Sequence, residues 1–462
     1  MKAIVCLLLL SACGGSTVAT TQAAQVPTTD PPSGLQGAHG FEFPPAPAVR
    51  AGSLTDETQS AAESLVANVF ARLDLAQLEL VAESGDARLG WLLSDLLRFT
   101  IGADGEALTE AFTTLTGADV SSDAISSWQV VTDHLIAWDL PAPPGYQELK
   151  RRLYTQLEPR WEPFFSDPDA QVDWRHVSWG GVFIDDRPAG DDGFCSRGCI
   201  PSLDDPLLTT ASEGDWYADS SIVFGLEVNG EAVAFPKNMM EVHEMVNLDL
   251  GGRRLGIPYC TLCGSAQAYF TDQHPDRSSP LVLRTSGLLI RSNKMMYDLG
   301  TFSLIDTFRG TATSGPLLDA GVELEQASVV GSTWGDWKET HPDTMIVAEG
   351  AGLGRVYPED PLQGRDAAGP IFPVGDVDPR LGVHELVVGV LDQAGNAVAF
   401  PLAAAQLANE AGQQVAHGGV RLLPAGSGFV AVADDGAELV AHQSFWFAWS
   451  QFHPTTELWA AP

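Results

Sequence analysis

Two cysteines three positions apart, Cys260 and Cys263 in the run Tyr259-Cys260-Thr261-Leu262-Cys263-Gly264-Ser265, offer the densest reactive chemistry in the chain. Two thiolates at this spacing can hold one soft metal ion or close one small disulfide. Gly264 lets the turn tighten and brings backbone N–H groups towards the sulfurs. Just upstream, His243-Glu244-Met245-Val246-Asn247 supplies an imidazole, and Met296 downstream a thioether. Cys260, Cys263, His243 and Met296 together are a soft donor set that suits copper, with zinc as the competing ion. Glu244 and Asn247 would orient the imidazole, while Asn293 and Asp298 would line the site or fix turns beside it.

Cys195 and Cys199 form a second close pair. With Cys260 and Cys263 they could complete a four-sulfur zinc tetrahedron, or the pair could close its own disulfide. Three uses of Cys260/Cys263 stay open at this level. They are a metal centre with a redox or metal-handling role, thiol–disulfide exchange with His243 lowering a thiol pKa, or structural bridges in a non-enzymatic scaffold. Enzymatic activity is left undecided. His243-Glu244 lacks the second histidine of a zinc-protease helix, and no glycine run is followed by the Lys-Ser/Thr of a phosphate loop.

The elements around the cysteines read as strands. Arg254-Leu255-Gly256-Ile257-Pro258-Tyr259 leads in and Gln267-Ala268-Tyr269-Phe270 leads out. Asn229-Gly230 between alternating apolar residues marks a hairpin. The stretch 237–246 reads as a short helix presenting His243 to the turn. Residues 51–165 read as short helices broken by glycine, with His134 a packed or solvated side chain. The fold class expected is α+β, a helical N-terminal module followed by a β-rich, internally duplicated module. The duplication rests on two ordered echoes. The segment 225–236 resembles 389–401, and Trp334-Gly335-Asp336-Trp337 with His341-Pro342 resembles Trp446-Phe447-Ala448-Trp449 with His453-Pro454. Residues 170–350 then hold the Cys-x-x-Cys site, and 351–462 form a shorter degenerate copy completing the module.

At the start, Met1-Lys2 and the apolar run to Leu10 read as an export leader, too short for a spanning helix. Leu10-Ser11-Ala12-Cys13 resembles the bacterial lipoprotein processing motif, which implies cleavage after residue 12 and lipid on Cys13. Residues 13–50 read as a disordered tether rich in Thr, Pro, Gly and Ala. These features place the protein in the cell envelope, lipid-anchored at the outer membrane or cell surface. The membrane is engaged through the lipid, and the helical module is a place for a protein partner. A net charge of −35 over 462 residues argues against nucleic acid as a partner.

Several runs follow one another in a recognisable order: Ile200-Pro201-Ser202-Leu203-Asp204-Asp205-Pro206, Val233-Ala234-Phe235-Pro236, His243 to Asn247, the cysteine turn, Ser286 to Asn293, Met296-Tyr297-Asp298 and Trp337. The series resembles the bacterial domain-of-unknown-function family 3179 across roughly residues 140 to 455. That resemblance implies relatives without implying an activity. Thr261 stands where the family pattern has proline, and the loop carrying Cys195 and Cys199 is an addition to it.

Overall fold

A computed structural model describes residues 35–122, 125–273, 279–365 and 369–461. The leader, the lipidation motif at Cys13 and the first part of the expected tether lie outside the described residues. Gly34–Pro462 form one compact unit.

Short helices occupy the N-terminal part: Asp56–Asn68, Leu75–Glu83, Gly90–Leu97, Ala103–Thr116, Ser127–Ala137 and Tyr146–Leu157. Local chemistry sets their ends. The side chains of Thr55, Asp74 and Ser126 accept amide hydrogens of the first turns, and Gly117 stops its helix in the left-handed conformation. Inside the bundle, Lys150 donates to Asp95 at 2.8 Å and Tyr146 to the same carboxylate at 2.7 Å. His134 is buried, bonded to the Val130 carbonyl and ringed by Phe41 and Phe43. The end of the expected tether therefore behaves differently from a free chain. Phe41 and Phe43 pack on the bundle, and the Gln36 carbonyl accepts the Val377 amide at 2.8 Å. Two aromatic rings give this stretch apolar area to bury, which its Thr/Pro-rich neighbours lack.

The rest of the unit is β-rich, with five small sheets arranged like blades of a propeller-like ring. The first sheet runs Val177–Trp179, Leu283–Ile290, Asn293–Asp298, Leu304–Asp306. It shares a core with the helices: Leu288, Met295 and Tyr297 pack with Trp91, Leu153 and Phe164, and Trp161 donates to the Ser286 carbonyl at 2.8 Å. The second carries the cysteines, in the order Gln326–Ala327, Ala268–Phe270, Arg253–Cys260, Met245–Leu250, Leu203–Asp204, with Ser265–Ala266 folding back on Arg253–Cys260.

The third and fourth sheets have the same plan. In the third, Val330–Thr333, Ile222–Val228 and Glu231–Pro236 are antiparallel, Met345–Val347 adds in parallel, and Leu208–Thr210 extends the edge. In the fourth, Ala441–Phe445, Leu386–Leu391 and Ala397–Pro401 are antiparallel and Glu457–Leu458 adds in parallel. A tryptophan lies flat on a glycine in each, Trp337 on Gly225 and Trp449 on Gly389, and each indole donates to a threonine, Thr344 or Thr456. The fifth sheet is a meander from Ala416–His417 to Glu438–Leu439. The Asn229-Gly230 hairpin forms as its sequence predicts, with both residues at positive φ. No helix among the described residues is long and apolar enough to cross a membrane.

Candidate functional site

The strand Arg253–Cys260 ends at Cys260, and a tight turn returns the chain through Ser265–Ala266. The amide of Cys263 bonds the Cys260 carbonyl at 3.2 Å, which puts both side chains on one side of the turn. Both cysteines carry free thiols and both are buried, at 1% and 0% exposure. Their sulfurs meet the same acceptor, the Ser292 carbonyl, at 3.8 Å from Cys260 and 3.6 Å from Cys263.

That carbonyl comes from a two-residue hairpin joining Leu283–Ile290 to Asn293–Asp298. Arg291 and Ser292 in the turn hold φ of 45° and 68°. Two successive left-handed residues suit the strand twist, although neither is glycine. A non-glycine turn of this kind stores strain, and here it presents a carbonyl to two thiols.

The next residue pair brings charge. Lys294, on the strand leaving the hairpin, is buried and donates to the Tyr259 carbonyl at 3.3 Å and to the Glu244 carbonyl. Its ammonium lies 3.7 Å from the Glu244 carboxylate, which also accepts from Thr261 Oγ1 at 2.9 Å. Glu244 ends the helix Lys237–His243 at φ 52°, so the helix is shorter than 237–246 and Met245–Leu250 is strand. Burial pushes the Glu244 carboxyl up and the Lys294 ammonium down, each partly opposed by the other.

The two thiols are driven in opposite directions. Burial raises Cys260, but the hydrogen bond from Cys263 and the amide and ammonium of Lys294 outweigh it, leaving the thiol below its ordinary value. Burial and the bond to Cys260 push Cys263 well above it. Cys260, Glu244, Thr261 and Lys294 open on a cavity of about 370 Å³. Its walls are largely apolar, including Val182, Ile200, Leu262, Leu289, Ile371 and Phe372, with Arg365 and His384 also on the lining.

The other expected ligands are placed elsewhere. His243 Nδ1 donates to the Pro201 carbonyl and its Nε2 accepts from the Tyr357 hydroxyl, each at 2.7 Å. Burial lowers this imidazole to about 4 despite the Pro201 bond, so it is neutral and fully engaged. Met296 packs with Met245, Tyr269 and Leu283, in a different cluster from the cysteines. Asn247 spends its side-chain hydrogen bonds away from His243. Its amide binds Asp204 at 2.9 Å and both backbone groups of Leu283, helping Arg284, which donates to Asp204 at 2.8 Å, lock the first sheet to the second. Asp298 closes the turn through the amide and hydroxyl of Thr301, both at 2.8 Å. Asn293 is wholly buried, and neither end of its side-chain amide meets a protein partner. Cys195 and Cys199 are joined to each other, Cα atoms 5.4 Å apart, and so are not in a four-sulfur set with Cys260 and Cys263. Among the described residues, the cluster of Asp185 with these bridged sulfurs is the one group of three or more His, Cys, Asp or Glu donors close enough to share an ion.

Lys294 and the Ser292 carbonyl are the parts of the site that residue types alone do not reveal. A faint signal exists for the first: lysines are rare in this acidic chain, and Lys294 stands directly before the apolar pair Met295-Met296. The carbonyl has none, because backbone atoms are donated by geometry.

No curated protein and no solved structure matches the chain. A family profile does, that of a protein of unknown function, DUF3179, over residues 197–428, half of the chain. The matched segment contains the cysteine turn, Glu244, the Ser292 hairpin and Lys294, and by this match the chain belongs to the DUF3179 family.

Proposed function

We propose that Cys260 and Cys263 are the working dithiol of a redox protein of the cell envelope, with Cys260 attacking and Cys263 resolving. One observation carries the reading: two unbridged thiols share the Ser292 carbonyl, and Cys260 faces a cavity beside Lys294. Attack needs a thiolate and resolution needs a partner sulfur within easy reach. Cys260, which lines the cavity with Lys294, takes the first role, and Cys263, which does not line it, takes the second. Because Cys260 reacts only through the cavity, its substrate is a small molecule rather than a folded protein. The leader and the Cys13 motif support export and lipid attachment, and a bridged Cys195–Cys199 suits an oxidising compartment. We further read the third and fourth sheets as two copies of one unit, with the cysteine-bearing strands of the second sheet inserted in sequence within the first copy.

The test is a titration of the purified chain with a small alkylating agent, read peptide by peptide. Cys260 should react first and Cys263 slowly, and oxidation should join the two. Equal, slow modification of both, with no Cys260–Cys263 bridge under mild oxidant, would refute the dithiol.

A soft-metal role is the second reading, supported by two sulfurs converging on one point with the Lys294 ammonium able to offset the charge of a dithiolate. Copper in its reduced state accepts such a two-sulfur site, and zinc would need further donors. Elemental analysis of the processed protein decides it. About one copper per chain, lost in Cys260→Ser, would establish the site; none would remove the reading.

A further inference from the structure

We propose that the cavity above Cys260 admits apolar organic hydroperoxides and that Lys294 delivers the proton their cleavage requires. This rests on the dithiol reading and names its substrate. Three features of the site bear on the choice.

The first is the wall. A cavity of about 370 Å³ lined by Val182, Ile200, Leu262, Leu289, Ile371 and Phe372 is of small-ligand size and gains most from an apolar body. Hydrophilic oxidants gain nothing there. The second is the pairing of thiols. A nucleophilic cysteine for acyl transfer needs no neighbour, whereas a second sulfur at the same carbonyl is what returns an oxidised sulfur to a stable state. The third is Lys294. When a thiolate attacks a disulfide, the leaving thiolate departs without a proton. When it attacks an O–O bond, an alkoxide leaves, and a strongly basic leaving group needs a proton donor at hand. An ammonium buried beside the attacking sulfur, held by the Tyr259 and Glu244 carbonyls and lining the same cavity, meets that need.

The steps balance. The Cys260 thiolate attacks the terminal oxygen of ROOH, an S–O bond forms, the O–O bond breaks, and RO⁻ takes a proton from Lys294 to leave as ROH. Cys260 is now a sulfenic acid, oxidised by two electrons, and the peroxide is reduced by two. Cys263 then attacks the Cys260 sulfur, an S–S bond forms, and the hydroxyl leaves as water with the Cys263 proton. Lys294 regains its proton from solvent. A second turnover requires reduction of the new disulfide by an external dithiol.

The experiment is a single turnover on the full chain with Cys260 and Cys263 reduced, read by mass spectrometry of the peptide containing both. Cumene hydroperoxide, hydrogen peroxide and glutathione disulfide are compared. Cumene hydroperoxide should oxidise Cys260 at least about tenfold faster than hydrogen peroxide, the discrimination an apolar pocket provides. Cys263→Ser should stop at sulfenic acid, trappable with a dimedone probe. Lys294→Met should slow both reactions by the thiolate it costs Cys260, and should slow the hydroperoxide reaction by roughly a further hundredfold relative to the glutathione disulfide reaction, since only the former uses the proton. Val182→Phe, on the cavity wall, should slow cumene hydroperoxide more than hydrogen peroxide, and it serves if the lysine variant fails to fold. Equal rates for the two peroxides, or a Val182→Phe chain with unaltered preference, would overturn the proposal. Rapid reaction with glutathione disulfide alone would also overturn it and leave the dithiol standing. If Cys260 reacts with none of the three, both readings fall together.

Discussion

The carbonyl of Cys263 accepts the amide hydrogen of Phe445 at 2.8 Å. The cysteine turn is thus fastened to the fourth sheet, about 180 residues later in the chain. Phe445 also fills the space over Gly264, where a Cβ would come within 2.9 Å of its ring, and its face stacks on His384 at the cavity wall. The sheet without cysteines helps shape the site in the sheet that has them.

Gly264→Ala should therefore alter the thiols more than the fold. Gly264 holds φ at +59°, a conformation that alanine adopts at a cost, and the added methyl meets Phe445. The expected outcome is a loss of about 1–3 kcal/mol in urea unfolding, together with a loss of the difference in alkylation rate between Cys260 and Cys263. A variant with full stability and unchanged thiol selectivity would show that the turn is not held by this contact.

Gly225→Ala and Gly389→Ala should each destabilise the protein by about 1–3 kcal/mol or more through overpacking. The new Cβ would stand 2.5 Å from the Trp337 ring in one sheet and 2.2 Å from the Trp449 ring in the other. Parallel losses of stability in denaturant titrations would mark the two Trp-on-Gly contacts as equivalent parts of their sheets.

Asp133 gives a pH signature. It is buried, accepts the amides of Val374 and Gly375 at 2.7 and 2.8 Å, and burial lifts its carboxyl to about 7 against those bonds. The folded state holds this proton more tightly than the unfolded chain, so its contribution is fully present below about pH 4 and fades as pH rises through 7. Asp133→Asn keeps an acceptor and removes the titration. Its stability relative to the natural chain should rise by about 3 kcal/mol between pH 5 and pH 8 in chemical denaturation. A pH-independent difference would mean that the group does not titrate there.

His243 acts in the opposite sense. Its imidazole is lowered to about 4 by burial, so the unfolded chain binds the proton first as pH falls. Stability is complete above about pH 6.5 and is lost on the way down to 4, by about 3 kcal/mol at most. His243→Gln should flatten that acid limb without changing the alkylation rate of Cys260. A large change in Cys260 reactivity would instead restore the imidazole to the thiol site.

The cysteine turn, its flanking strands, the Asn229-Gly230 hairpin, the helical N-terminal part and the order of family motifs were legible in the residues, because each is a local pattern. Apolar alternation, a turn dipeptide or a capping side chain acts within a few positions. The partners of the cysteines were not legible. His243 lies close in sequence and chemically fits a metal, yet its short helix ends one residue later, and the ring faces Pro201 and Tyr357. Lys294 lies more than thirty positions from Cys260 and reaches it through a hairpin whose left-handed turn uses arginine and serine, with no glycine to announce it.

By itself the sequence determined which residues carry reactive groups, where strands and helices begin, and which family the chain belongs to. The tertiary structure alone decided which of those groups share a site. Pairing between sheets distant in sequence sets that choice. It put Glu244, Lys294 and the Ser292 carbonyl around the thiols, held Met296 and Asn247 in the packing between sheets, and opened Cys260 to a cavity built from stretches of chain far apart in sequence.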